Sequence, residues 1–277
     1  MTVLLALAAS ASWGVSDFLG GLKTRTVPLL RVLAISQPAG LVLLGAIVLI
    51  RWQAPPHGLA ILWAVLAGFG GAIGIGALYK GLAVGSMGIV APITATSPLV
   101  PLTVGLARGE RPSTIQLAGM AVALVGVAFA GWEKGAPGER RRAGAGVGLA
   151  LLAAVTFGSS QVGLDAASNA DPYWGTFIVR LASCALVLAA LLLTRPDRGA
   201  SGGLLVLAVI GLLDAGATEL FAIATTKGLL SVVAVLAALY PVVTALLARF
   251  VLHERLTLVQ RGGALAAVAG AAAISAG

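Results

Sequence analysis

GERPSTIQLAG at residues 109–119 returns at residues 253–263 as HERLTLVQRGG, 144 positions later. The same displacement carries SWG at 12–14 onto TFG at 156–158, Pro28 onto Pro172 and Gly126 onto Gly270. Pro98 meets Pro241 after a one-residue slip. The matches keep their order in both halves, which chance similarity does not do over so many positions. The chain reads as two copies of one unit, and the fold follows from what that unit contains.

Each copy is a series of apolar runs. The 277 residues are 59% hydrophobic and 10% charged, against roughly 45–50% and about 25% in a soluble domain. That much apolar surface cannot be enclosed in one or two globular cores. It comes in charge-poor runs of about 20 residues, the length that crosses a bilayer. Ten such runs stand at roughly 2–22, 31–50, 58–79, 84–107, 113–132, 143–166, 172–194, 201–224, 229–250 and 257–275. Transmembrane β-strands would be shorter and would alternate polar with apolar residues, a pattern absent here. The sequence predicts an all-α integral protein of the cell membrane, multi-pass, with ten transmembrane helices. The first run starts at Thr2 with no basic stretch before it, so it reads as a membrane helix rather than a signal peptide.

The basic link EKGAPGERRRAGAG at 133–146 divides the runs five and five. We expect a first five-helix repeat at 1–132, a linker at 133–145 and a second repeat at 146–277. An odd number of spans per copy forces the second copy through the bilayer in the opposite sense. Inverted repeats are the architecture of many secondary transporters, with the substrate site near the midplane between the copies.

The doubled order is a Trp-Gly or Phe-Gly pair in the first helix, a proline-centred fourth helix, a Gly/His-Glu-Arg turn and a glycine-rich fifth helix. It resembles the EamA family of the drug/metabolite transporter superfamily over essentially the whole chain. That resemblance implies a ten-helix bundle moving small organic metabolites, often amino acids or related compounds, commonly outward. It does not name a substrate. The competing readings are a lipid-carrier flippase, which needs a lateral entrance, and a non-transporting receptor or scaffold, whose buried charges would be structural pairs. No nucleophile–base constellation points to an enzyme. No GxxxxGK[ST] motif points to a nucleotide, and no cofactor is called for. His57 and His253 are isolated and do not make a metal site. Cys184 stands alone, which excludes disulfides within the chain.

Four ionisable residues lie well inside the runs: Asp17, Arg180, Asp214 and Glu219. Each costs roughly 2.5–3.5 kcal/mol at a helix centre unless it meets a polar cavity or a partner. Asp17 either reaches the interface or faces a cavity; Arg180 either snorkels, pairs with a carboxylate or serves substrate. In GLLDAGATELFAIATTKG, residues 211–228, Asp214, Thr218 and Thr225 share one face, while Glu219 and Thr226 share another. Five residues at about 100° each set the two acids about 140° apart. One should face the cavity and the other a neighbouring helix, and Glu219 is our expectation for the cavity. Either acid could hold a substrate ammonium group or exchange a proton for substrate.

Pro92, Pro98 and Pro101 interrupt the fourth run, and Tyr240–Pro241 stands at the equivalent point of the ninth. Such breaks are tolerated where the freed backbone lines a cavity or is covered by protein. Thr94, Thr96 and Ser97 could satisfy that backbone. The substrate-binding candidates are therefore Trp13, Asp17, Ser97, Arg180, Asp214, Glu219 and Tyr240, with Trp13 mirrored by Phe157 and Asp17 by Gln161. Gly70/Gly74, Gly119/Gly126 and Gly263/Gly270 read as helix-packing surfaces, with a homodimer contact among their uses.

The net charge of +8 is spread over short loops, so membrane orientation explains it better than nucleic acid. Loops 1–2, 3–4, 5–6, 7–8 and 9–10 hold ten Lys and Arg against four in the others. The positive-inside rule then puts the first set in the cytoplasm and both termini outside. The family resemblance implies termini inside, so the two expectations conflict.

Overall fold

The computed structural model describes residues 1–84, 87–130, 143–194, 203–253 and 257–277. Most of the expected linker, and the Glu254–Arg255 part of the second HER turn, fall outside the described residues. The described residues form helices and no strand: α1 (Thr2–Thr24), α2 (Leu29–Arg51), α3 (Leu59–Val84), α4 (Met87–Thr94), α5 (Leu99–Ala107), α6 (Thr114–Ala130), α7 (Ala143–Ser168), α8 (Pro172–Thr194), α9 (Leu204–Thr225), α10 (Leu230–Ala237), α11 (Tyr240–Val251) and α12 (Leu258–Ala276). Eight spans are long and apolar enough to cross a membrane when α10 and α11 are taken together. The shorter α6 and the broken pair α4–α5 bring the total to the expected ten. With ten spans, both termini lie on one face, here called the terminal face. The opposite one, where α6 ends and α7 begins, is the linker face.

The repeated motifs have local physical causes. Ser113 Oγ accepts from the Gln116 amide at 3.1 Å and Gln116 Oε1 from the Ser113 amide at 3.0 Å. Thr257 and Gln260 exchange the same two bonds at the start of α12. The S/T-x-x-Q of each copy is thus a capping box that starts the copy's last helix. Glu110 of the first GER turn accepts the Leu230 amide at 2.7 Å and the Ser231 amide at 3.0 Å. It caps the N-terminus of α10, a half-helix of the other repeat, where a negative charge is favoured.

The expected breaks in the fourth and ninth spans are present. Pro98 precedes α5 and Pro241 sits in the first turn of α11. Tightened i→i−3 bonds bridge the first break, among them Thr96 amide to Ile93 oxygen at 3.1 Å and Ser97 amide to Thr94 oxygen at 3.0 Å. Thr94 and Thr96 also donate their hydroxyls to the Val90 and Ile93 carbonyls, at 3.0 and 2.6 Å. The freed backbone is satisfied locally, as the run of hydroxyl residues suggested.

The glycines of the repeated motifs face the other copy. A Cβ at Gly14 would lie 2.8 Å from the Tyr240 oxygen and 2.5 Å from Val243 Cβ. At Gly158 it would lie 2.5 Å from the Ser97 oxygen. The Trp-Gly and Phe-Gly pairs therefore let the first helix of each repeat press on the proline break of the other. Gly119 and Gly126 pack on Gly270 and Gly263 where α6 crosses α12. Those four glycines are used inside the chain, so the homodimer contact we allowed them is already occupied by an intramolecular one.

Hydroxyls tie the halves symmetrically. Ser16 of α1 donates to the Ile210 carbonyl of α9 at 3.0 Å, and its repeat mate Ser160 of α7 to the Ala67 carbonyl of α3 at 2.7 Å. Around these crossings the terminal half is tightly filled. Phe221, Ala222 and the whole of α10 are buried in one apolar cluster with Ala6, Ala9 and Leu164.

Candidate functional site

A cavity of about 290 Å³ lies between the two repeats. Its walls run from the midplane residues Ser97, Arg180, Asp214 and Tyr240 to Thr24 and Leu29 at the linker face. Phe221 and Leu164 form its floor, below which the terminal half is packed shut. Among the described residues, this cavity reaches the linker face and stops at that floor.

At its centre four helices meet through charge. Arg180 Nη1 of α8 lies 2.6 Å from Asp214 Oδ2 of α9 and 2.8 Å from Gln37 Oε1 of α2. Trp13 Nε1 of α1 donates to Asp214 Oδ1 at 3.1 Å. The Thr218 hydroxyl donates to the Asp214 carbonyl at 2.8 Å, one turn back along α9. The indole of Trp13 stands edge-on to Tyr240, with centroids 6.5 Å apart, and tilted on Phe221 at 5.9 Å. Gly211, just before Asp214, lies so close to the Ser36 carbonyl of α2 that no side chain fits there. That crossing brings α9 near enough for Asp214 to reach Arg180.

Exposure separates the roles of these charges. The Arg180 side chain is 6% exposed and the Asp214 side chain 31%. The arginine is enclosed and matched, while the carboxylate keeps an edge toward the cavity. Asp17, about two turns from the linker end of α1, is exposed on the cavity wall and has no hydrogen-bond or ion-pair partner among the described residues. With Asp17 and Asp214 ionised, the cavity lining holds two negative charges and one positive one, and the positive one is covered.

Of the sequence candidates, Trp13, Asp17, Ser97, Arg180, Asp214 and Tyr240 converge on this cavity. Glu219 does not, which reverses our preference between the two acids. The physical reason is the 140° that separates them: with Asp214 turned to the cavity, Glu219 is turned to α8, where its Oε2 lies 2.5 Å from the Thr176 hydroxyl. Gln161, the repeat mate of Asp17, lines the cavity and offers an unpartnered buried Oε1. Sequence reasoning missed Gln37, whose signal was an amide in mid-run beside Pro38. It also missed the ion pair of Arg108 with the buried Asp165 at 2.8 Å, set at the terminal ends of their helices.

The family model of the EamA-like transporter family matches residues 1–132 and again residues 144–276. The chain belongs to that family. It is thus a multi-pass membrane transporter of the drug/metabolite transporter superfamily, built from two EamA repeats. A solved crystal structure, described only as that of a protein, superposes with a TM-score of 0.81 at 20% identity, covering 99% of this chain and 98% of its own. That likeness supports the fold alone. No curated protein matches the chain.

Proposed function

We propose that this EamA transporter is a secondary exporter of small metabolites carrying an ammonium group, amino acids or related compounds, working by alternating access around the midplane cavity. The observation that carries the reading is that the accessible charge in the cavity is acidic: Asp17 is exposed and unpaired, whereas Arg180 is covered and matched. An ammonium group would sit between Asp17 and the free edge of Asp214, with the faces of Trp13 and Tyr240 adding cation–π attraction. A cavity of about 290 Å³ is at the small end of the roughly 300–1,000 Å³ usual for ligand sites, which favours a small metabolite over a lipid carrier. An ion gradient drives the cycle in this reading, with a proton as the exchanged ion.

The test uses a matched trio: phenylalanine, its decarboxylated amine and its deaminated acid, each added to the purified protein while Trp fluorescence and thermal unfolding are followed. The amine and the amino acid should both stabilise the protein, and Asp17→Asn should abolish the effect. Stabilisation by the acid alone would overturn the reading. Metabolite profiling of medium from cells lacking and overproducing the protein then names the exported class.

A further inference from the structure

Glu219 is the one acid of the described membrane core that neither faces the cavity nor meets a cation within ion-pair distance. It is 7% exposed, and its Oε1 has no hydrogen-bond partner among the described residues. Its Oε2 lies 2.5 Å from the Thr176 hydroxyl oxygen, which also lies 3.0 Å from the Tyr173 carbonyl oxygen one turn back along α8. A hydroxyl carries one hydrogen. Both contacts can be hydrogen bonds at once only if the carboxyl supplies the second hydrogen. Glu219 then donates to Thr176, and Thr176 donates to Tyr173.

The charged neighbours agree. Arg51, at the end of α2, grips both oxygens of Asp171 in the α7–α8 turn at 3.0 and 2.9 Å and stacks 3.8 Å over the Tyr173 ring. Its charge is already answered. Asp214, on α9 itself, is answered by Arg180. An ionised Glu219 would be a buried charge with no counter-ion beside it, a state that protein interiors avoid by taking up a proton.

We propose that Glu219 is a proton-binding site whose occupancy sets which face of the transporter is open. With the terminal face sealed, as here, the carboxyl holds its proton. When α8 and α9 part at that face, water reaches the carboxyl. The O–H bond breaks, its electrons stay on the carboxylate, and water on the terminal side takes the proton. Resealing reverses the step. Raising the pH therefore draws the population toward the terminal-open state, by up to tenfold per pH unit while the group titrates only in that state. The inference rests on the alternating-access reading, not on the identity of the substrate.

The experiment places a cysteine at Leu33, which lines the cavity near its mouth, in a Cys184→Ser background. Labelling by a membrane-impermeant maleimide is followed against pH and normalised to a Leu258→Cys control, exposed on the same face and outside the cavity, which removes the thiol's own titration. Normalised labelling should fall as pH rises, lose that slope in Glu219→Gln and keep it in Glu219→Asp. An unchanged slope in Glu219→Gln, or no slope in the parent, overturns the proposal. Infrared spectroscopy gives a reading that needs no variant to fold well. A protonated-carboxyl band should be present near neutral pH in the parent and shifted in Glu219→Asp; its absence overturns the proposal as well. Failure of the phenylalanine trio would sink the ammonium reading while leaving this pH slope in place, so the two fail separately.

Discussion

Arg180 carries its charge at 6% exposure, so its stability depends on the partners that enclose it. Removing one member of a buried pair costs about 3–5 kcal/mol, because the other charge is left unanswered. The two members are not equally buried, and that orders the outcomes. Asp214→Asn strands an enclosed guanidinium with only Gln37 and a weak 3.5 Å contact to Thr218. Arg180→Gln strands a carboxylate that keeps an exposed edge on the cavity. In denaturant titrations the first should lose stability near the top of that range and the second clearly less, while the double variant recovers most of the loss without recovering transport. Asp17→Asn, at a residue with no partner to strand, should leave stability within about 0.5 kcal/mol and still abolish response to the amine probe. The sequence exposed all four charges by their depth, and the 140° rule separated the two acids on α9. Which acid met the cavity was hidden, because it depends on how α9 is rotated. That rotation is fixed by contacts such as Gly211 on Ser36, which join residues far apart in the chain.

At the scale of the helix, the repeated glycine motifs are contacts between copies. Gly14 and Gly158 lie under backbone carbonyls and branched side chains that cannot retreat, whereas a Cβ at Gly76 or Gly216 would have nothing within 4 Å. Alanine at the first two positions should lower the unfolding temperature and impair transport by wedging each first helix off the opposite proline break. Alanine at the second two should be neutral or stabilising, by up to about 1 kcal/mol from helix propensity. Removing a capping hydroxyl with Ser113→Ala or Thr257→Ala should cost about 1 kcal/mol each, additively, since the boxes start different helices. These motifs were legible as a repeat because spacing is preserved in one dimension. Their purpose was only partly so: the capping boxes close within one copy, but the Trp-Gly and Phe-Gly pairs and the glycines of α6 and α12 meet partners in the other copy.

For the whole molecule, the open mouth and the positive charge belong to the same face. Placing the helix ends adds Arg31, Arg249 and Arg261 to that side, so the ten basic residues counted from loops become thirteen, against four at the terminal face. Positive residues near helix ends are retained in the cytoplasm during insertion. The physical expectation is a cavity open to the cytoplasm and termini outside, against the orientation that the family resemblance implied. An exporter in this state would be loading substrate, and Glu219 would lie toward the outer face. Cysteines at Leu29, at the mouth, and at Gly277, at the terminal face, decide the matter when each is labelled in intact cells by an impermeant maleimide. Gly277→Cys should label without permeabilisation and Leu29→Cys only after it. The reverse result would keep the mouth and the termini on opposite faces but turn the molecule over, and the proton on Glu219 would then answer to cytoplasmic pH.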